Sequence, residues 1–234
     1  MRQIVLDTET TGLQIEEGHR IIEIGCIELI NRKLTGKRYH QYINPERPIE
    51  EEALAIHGIT EDFLKNKPPF REIAKEFIEF ITNAELIIHN APFDTAFINH
   101  ELQLTQQKWK SLTTYCCITD TLLLARQLHV GQRNSLDALC KRYGVDHSSR
   151  DFHGALLDAR LLAEVYLNMT GGQSSLFEEN LSINPIREEK IQLKDKQTQK
   201  RNLIVLLADA NELNAHHLKL KEIAEKGRSL WEES

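Results

Sequence analysis

An aspartate on the apolar face of a helix constrains this chain more than any other feature. The stretch "GALLDARLLAEVYLNM", residues 154–169, carries apolar residues at helical spacing through Ala155, Ala159, Leu162 and Tyr166, and Gly171–Gly172 stop it. Asp158 falls three residues after Ala155 and four before Leu162, so it lies on the same stripe. A carboxylate facing a core is expensive unless it is paired. No Lys or Arg occupies that stripe one turn away. A bound metal ion would solve the problem.

Other acids point the same way. In "VLDTETTGL", residues 5–13, Asp7 and Glu9 follow an apolar run and sit two residues apart. Residues two apart on a strand project to one face. Two buried like charges repel, and one takes up a proton unless a cation intervenes. A solvated pair at a strand end is the alternative. Asp94 follows "IIHNAPF", just past a buried strand where a helix begins, and it also suits a helix N-terminus. Hard oxygen ligands without Cys or clustered His favour Mg²⁺ or Mn²⁺ over Zn²⁺.

His153 is five residues before Asp158. Five helical steps rotate by roughly 140°, so the two do not share a face within a regular helix. If the helix starts at Gly154 or Ala155, His153 sits in the preceding loop and can swing over the site. There it can take a proton from a metal-bound water. An exposed loop histidine is the plainer alternative.

Along the chain, "RQIVLD" (2–7), "RIIEIGCIELI" (20–30) and "RYHQYIN" (38–44) read as consecutive antiparallel strands, joined partly through the "NRKLTGK" turn. A helix over 71–81 carries Ile73, Phe77, Ile78 and Ile81 on one stripe. Residues 84–90 return to strand. Residues 93–102 read as a helix with Phe93, Ala96 and Phe97 on one side. "TLLLARQL" and "SLDALCKRY" are two more helices, the second capped by Asn134 or Ser135. This order indicates an α/β layered domain over 1–172. Residues 173–200 are polar and mixed in charge, as in a flexible linker. Residues 201–234 form a short helical tail, with Leu213, Leu220 and Ile223 as contacts, too small to bury a core alone.

The net charge of −6 lacks the basic excess of a protein that covers duplex nucleic acid. Any nucleic acid is therefore held as a short piece, with metal ions or partners supplying positive charge. No apolar run approaches a bilayer span and the N-terminus lacks a signal-peptide core, so no membrane association and a cytoplasmic location are expected. Cys26, Cys116, Cys117 and Cys140 read as reduced thiols, mostly packing groups.

Three motifs together, "DTETTG" (7–12), "HNAPFD" (89–94) and "HGALLDA" (153–159), resemble those of the DEDDh 3′–5′ exonucleases, in the family's order. "RIIEIG", "IHGIT", "ITDTLLLAR", "RNSLDALC" and "EVYLNMTGGQ" extend the likeness to the proofreading subunits of bacterial replicative DNA polymerases, over roughly 1–173. The resemblance implies a ribonuclease H-like mixed sheet flanked by helices. It implies a first divalent ion held by Asp7, Glu9 and Asp158, a second held by Asp7 and Asp94, and His153 as general base. Glu52 and His57 would touch the terminal nucleotide, beside a turn of Thr10, Thr11 and Gly12. Leu13 and Phe93 are candidate wedges against terminal bases, and packing explains them equally. His89 and Asn90 are further candidates that buried hydrogen bonding also explains. Asp120 and Asp137 read as turn or cap residues.

The implied partners are a frayed DNA 3′ end and the polymerase alpha subunit, bound through a tail anchored by Leu230 and Trp231. A sliding clamp would be met by the peptide "QSSLF" through Gln173, Leu176 and Phe177, unless those side chains fold back on the domain. A small theta-like subunit is a further partner of some relatives. An RNA-trimming nuclease and a non-catalytic scaffold are the competing functions.

Overall fold

Strand β1 (Arg2–Thr10) forms where Ile4, Val5 and Leu6 run without interruption, and all three are fully buried. They need cover on both faces because β1 is the central strand of a five-stranded sheet, in the order β3-β2-β1-β4-β5. The computed structural model describes residues 1–148, 152–171 and 209–226. The chain divides into two units, residues 1–181 and 182–234.

β2 (Ile21–Ile30) pairs antiparallel with β1, and β3 (Lys33–Tyr42) antiparallel with β2, as expected. The hairpin between β2 and β3 is tighter than the expected turn. Only Asn31 and Arg32 turn, at φ 49° and 63°, and Lys33 already begins β3. Two residues with positive φ match the right-handed twist of the flanking strands. The first half of β3 is an exposed sheet edge with polar side chains, so it lacks the apolar alternation that marks a strand.

Two short helices, α1 (Glu51–His57) and α2 (Glu61–Leu64), were not foreseen. Gly58 ends α1 at φ 69°, and Thr60 caps α2 by accepting the Phe63 N–H. In α3 (Phe70–Ile81) the predicted stripe is buried. β4 (Glu85–Ile88) lies parallel to β1, with Ile88 beside Leu6. Helix α4 (Ala91–Leu104) starts earlier than the sequence suggests. Asn90 takes the left-handed φ of 66°, and Pro92 fits the first turn. Its buried side is Ala91, Asp94, Phe97, Ile98, Glu101 and Leu102, whereas Ala96 is exposed.

β5 (Cys117–Asp120), parallel to β4, is a further strand the sequence did not announce. Asp120 caps α5 (Thr121–Leu128) by accepting the N–H groups of Leu122 and Leu123, and Ser135 caps α6 (Leu136–Tyr143). α7 (Ala155–Thr170) follows, with its apolar stripe buried. In the second unit, α8 (Ala210–Lys226) opens on a reciprocal cap. Asp209 Oδ1 accepts the N–H of Asn211 and Glu212, and Glu212 accepts the N–H of Asp209. Leu213 and Leu218 are exposed there. Gln173, Leu176, Phe177, Leu230 and Trp231 lie outside the described residues.

The sheet separates two apolar layers. Ile4 and Leu6 pack with α3 and α4 on one face, and Val5 packs with Leu162 and Tyr166 of α7 on the other. Alternation along β1 therefore turns Asp7 and Glu9 toward α7. The approach of α7 is unusually close. A Cβ on Gly25, the register partner of Asp7, would stand 2.3 Å from the Ala155 carbonyl carbon and the Leu156 nitrogen. Neither backbone can yield as a flexible side chain would. Gly25→Ala is expected to lower stability by at least about 1–3 kcal/mol, the usual cost of overpacking, and to lose activity with it. Urea unfolding measures this, and an unchanged midpoint would contradict the close contact.

Candidate active site

The site forms where the carboxyl ends of parallel β1 and β4 meet the first turns of α4 and α7. Ligands of open α/β sheets bind outside the carboxyl ends of the strands, where strand order changes direction. The order β3-β2-β1-β4-β5 reverses between β1 and β4, which is that point here.

From the α7 side, Glu9, His153 and Asp158 each offer a ligand atom, all within 4.8 Å of one another. Asp158 is 3% exposed. Its Oδ2 lies 3.4 Å from His153 Nδ1. His153 precedes α7, as expected, and its ring remains nearly half exposed. Its backbone is anchored, because the His153 N–H donates to the Ile56 carbonyl at 3.1 Å. Asp7 projects to the same sheet face two residues before Glu9.

Asp94 arrives from the opposite layer. It is 3% exposed and accepts the Thr8 hydroxyl at 2.7 Å. Burial pushes its carboxyl up to about 7, and the charge of Asp120 adds to this, against the opposing Thr8 hydrogen bonds. Two other buried acids of the fold meet cations. Glu101 is held by both arms of Arg20 at 2.7 Å, and Glu28 by Arg2 at 2.7 Å. Asp94 instead relies on a hydroxyl. A buried carboxyl raised in this way would be ionised readily by a divalent cation beside it. The donor set is carboxylate oxygens with one imidazole and no thiolate, which suits a hard divalent ion.

Beside the acids lies a cavity of about 210 Å³, lined by Thr8, Glu9, Thr10, Gly12, Leu13, Glu50, Glu52, Ala53, Ile56, His57 and Phe93. It gathers most of the residues expected to meet a nucleotide. Leu13 is 73% exposed at the rim, and Phe93 packs on Phe97 at 4.9 Å between ring centroids. His57 is buried, and its Nδ1 accepts the Ile59 N–H at 2.9 Å, so the proton of the neutral ring sits on Nε2. Burial lowers its pKa and the nearby His153 lowers it further, while the Thr10 backbone partly offsets both. Nε2 is buried and makes no full hydrogen bond within the protein.

Thr10 and Thr11 turn the chain. The Thr10 hydroxyl donates to the Gly12 carbonyl, and Thr11 Oγ1 meets His19 Nδ1 at 3.0 Å. His19 and Glu50 were not singled out in the sequence. His19 is 1% exposed, and its Nε2 lies 3.0 Å from Glu50 and 3.5 Å from Glu17. With both ring nitrogens engaged, it braces the turn. A Cβ on Gly12 would fall 2.3 Å from His19 Cε1, so the close approach that Gly12 allows is first of all to this ring.

His89 is half-buried and Asn90 is exposed. His89 Nδ1 meets Thr121 Oγ1, and the Asn90 N–H donates to Asp120. Glu23 was missed as well. It lies opposite Glu9 on β2 and accepts the Ala155 N–H. "RIIEIG" offered only a polar residue within a strand as the signal.

Comparison with known proteins agrees with this geometry. Residues 4–166 match the family described as Exonuclease. The chain is 49% identical to the DNA polymerase III subunit epsilon of Pasteurella multocida, covering 99% of this chain and 93% of that protein. It is 49% identical to that of Escherichia coli K12, with 98% and 97% covered. Exonuclease X in complex with 5′-overhanging duplex DNA superposes with a TM-score of 0.57 at 26% identity, over 72% of this chain and 91% of that one. The nuclease domain of 3′hExo, a DEDDh family member bound to rAMP, gives 0.59 at 20% identity, over 72% and 90%, and so bears on the fold alone. The fold is the mixed, helix-flanked sheet of the ribonuclease H-like exonucleases.

The raised Asp94 carboxyl sets a pH signature. Its folded pKa exceeds the unfolded value, so its stabilising contribution is complete below about pH 4 and is lost as pH rises through about 7. In metal-free protein, Asp94→Asn should therefore melt higher than the parent at pH 8, with the advantage shrinking toward pH 4. Melting curves with a chelator present check this. A lower melting temperature for the variant at pH 8 would contradict it.

Proposed function

This chain belongs to the DNA polymerase III epsilon family of exonucleases, and we propose that Asp7, Glu9, Asp94, His153 and Asp158 form the centre that removes mispaired nucleotides from a DNA 3′ end as nucleoside 5′-monophosphates. The chain is a 3′–5′ exonuclease, the proofreading subunit of a replicative polymerase. The observation that carries the site reading is the meeting of Glu9, His153 and Asp158 within 4.8 Å, beside a nucleotide-sized cavity.

The family implies divalent metals, and the acids present suit them. Asp7, Glu9, Asp94 and Asp158 would hold two ions, Mg²⁺ or Mn²⁺. Bound there, such ions stabilise negative charge at phosphorus and lower the pKa of water. The protein's own groups do the rest. His153, in its exposed loop beside Asp158, accepts the proton of the attacking water. His57 Nε2 and Glu52 bind the terminal nucleotide within the cavity. Thr10, Thr11 and Gly12 shape the wall beneath it, stiffened by His19. Leu13 and Phe93 offer apolar contact to an unstacked base.

Selectivity for mismatches follows from the size of the site. A cavity that takes one nucleotide needs a melted end, and a mispair lowers the cost of melting. The net charge of −6 suits a nuclease delivered to its substrate by partners rather than by its own field. We assign the nuclease to residues 1–172, a linker to 173–200 and a docking tail to 201–234. The tail would engage the polymerase alpha subunit through Leu230 and Trp231, and Gln173, Leu176 and Phe177 would engage the sliding clamp. A small theta-like subunit would be a further partner. Such contacts would put the protein at the replisome, on the nucleoid in the cytoplasm. Tethering raises the local concentration of nuclease at the primer. No described helix is long and apolar enough to cross a membrane.

Digestion of a 3′-mispaired primer should require Mg²⁺ or Mn²⁺ and proceed faster than digestion of the paired primer or of an RNA equivalent. Asp7→Ala should abolish it while leaving binding to the polymerase subunit intact. His153→Ala should reduce kcat by about 10²–10⁴-fold, as expected for loss of a general base. His57→Ala should act mainly through KM. Retained hydrolysis by Asp7→Ala would refute the site. Preference for the RNA strand would favour an RNA-trimming enzyme. Unchanged clamp affinity after Leu176→Ala/Phe177→Ala would remove the clamp contact.

A further inference from the structure

The metal-binding reading of the site leaves one question open: what holds Asp158 and His153 at the right distance from β1? α7 begins at Ala155, and its preceding residue, Gly154, has no side chain with which to cap it. The first N–H groups of a helix need acceptors. Asp158 N–H uses the Gly154 carbonyl at 2.9 Å. The Ala155 N–H is buried, and it donates to Glu23 Oε2 at 3.1 Å, across 132 residues of chain.

Glu23 is 2% exposed on β2, directly opposite Glu9 in the register. Like charges in facing positions of a sheet ordinarily repel. Here Glu23 turns its two oxygens to separate tasks. Oε2 meets the helix N-terminus, where negative charge is favoured. Oε1 meets His40 Nε2 at 2.7 Å, reaching in from β3. His40 is itself steadied by the edge of Tyr42, at 4.9 Å between ring centroids. Gly25, two residues on, lets the same helix end rest against the strand backbone. Glu23 and Gly25 thus grip the start of α7 from one strand.

We propose that Glu23, braced by His40, is a positioning residue that fixes the first turn of α7, and with it Asp158 and His153, relative to Asp7 and Glu9. It acts through the helix end and touches neither substrate nor the reacting atoms. This inference rests on the site reading above.

The test uses the full chain with Glu23→Ala, Glu23→Gln and His40→Ala. Mn²⁺ binding is followed by electron paramagnetic resonance without substrate, alongside kcat and KM on a single-stranded oligonucleotide and melting temperatures. Glu23→Ala should weaken Mn²⁺ binding by about 10–100-fold, the usual effect of removing a group that orients ligands, and lower kcat while KM stays near the parent value. Glu23→Gln keeps an oxygen for the Ala155 N–H and should recover most of both. His40→Ala, on a half-exposed edge residue that the fold can spare, should shift Mn²⁺ binding in the same direction by less. The inference is overturned if Glu23→Ala melts lower but binds Mn²⁺ like the parent, or if Gln is as damaging as Ala. Should Glu23→Ala fail to fold, parental Mn²⁺ binding by His40→Ala overturns it. A parent that binds no Mn²⁺ removes the site reading and the inference together.

Discussion

The contact between the start of α7 and β2 governs the rest of this structure. Helix and strand meet backbone to backbone, because Gly25 presents no side chain and Glu23 takes the first N–H of the helix. Packing of Leu162 and Tyr166 against Val5 holds the body of α7 on the sheet, but apolar contact alone tolerates sliding. The hydrogen bond and the missing Cβ supply direction. With the helix end fixed, Asp158 stands one turn in, on the face already occupied by Asp7 and Glu9.

The acids reach the site from both layers, and this divides their environments. Asp158 and Glu9 meet His153 on the α7 side, while Asp94 comes from α4 and settles on Thr8. Burial costs this carboxylate more than the Thr8 hydroxyl and nearby backbone N–H groups return, which is why Asp94 sits near 7. Elsewhere the fold uses arginine for the same task, as at Glu101 and Glu28. The contrast sets the arginine-paired Glu101 and Glu28 apart from Asp94. Neighbouring the site acids, His19 and Glu50 stiffen the Thr10–Gly12 turn, which forms part of the cavity wall.

Much of this was legible in the chain. Period-two and period-3.6 patterns marked β1, β2, α3 and α7, because each buries a regular apolar face. The elements that escaped notice lack such a face. The first half of β3 is an exposed, largely polar edge, α1 exposes Leu54 and Ile56, and β5 is a four-residue strand at the other edge with no residue fully buried. Ala96 was placed on the wrong side because the buried arc of α4 includes the polar Asp94 and Glu101, and the helix start, on a left-handed Asn90, was set two residues late. Helix starts depend on single backbone angles, which side-chain pattern does not encode.

By itself, the sequence determined that Asp158 needed a partner, that Asp7 and Glu9 share a face, and that three motifs resemble one exonuclease family. Spacing and solvation energetics suffice for the first two, since each concerns residues within one element, and the third rests on the resemblance of the motifs. Only the tertiary structure decided which acids meet. Glu9, His153 and Asp158 are joined across some 150 residues by the docking of α7, and Asp94 belongs to the opposite layer. The roles of Glu23, His40 and His19 were decided there too. Each acts through a hydrogen bond to an element distant in the chain or to a turn folded back on it. A one-dimensional pattern holds no record of such a partner.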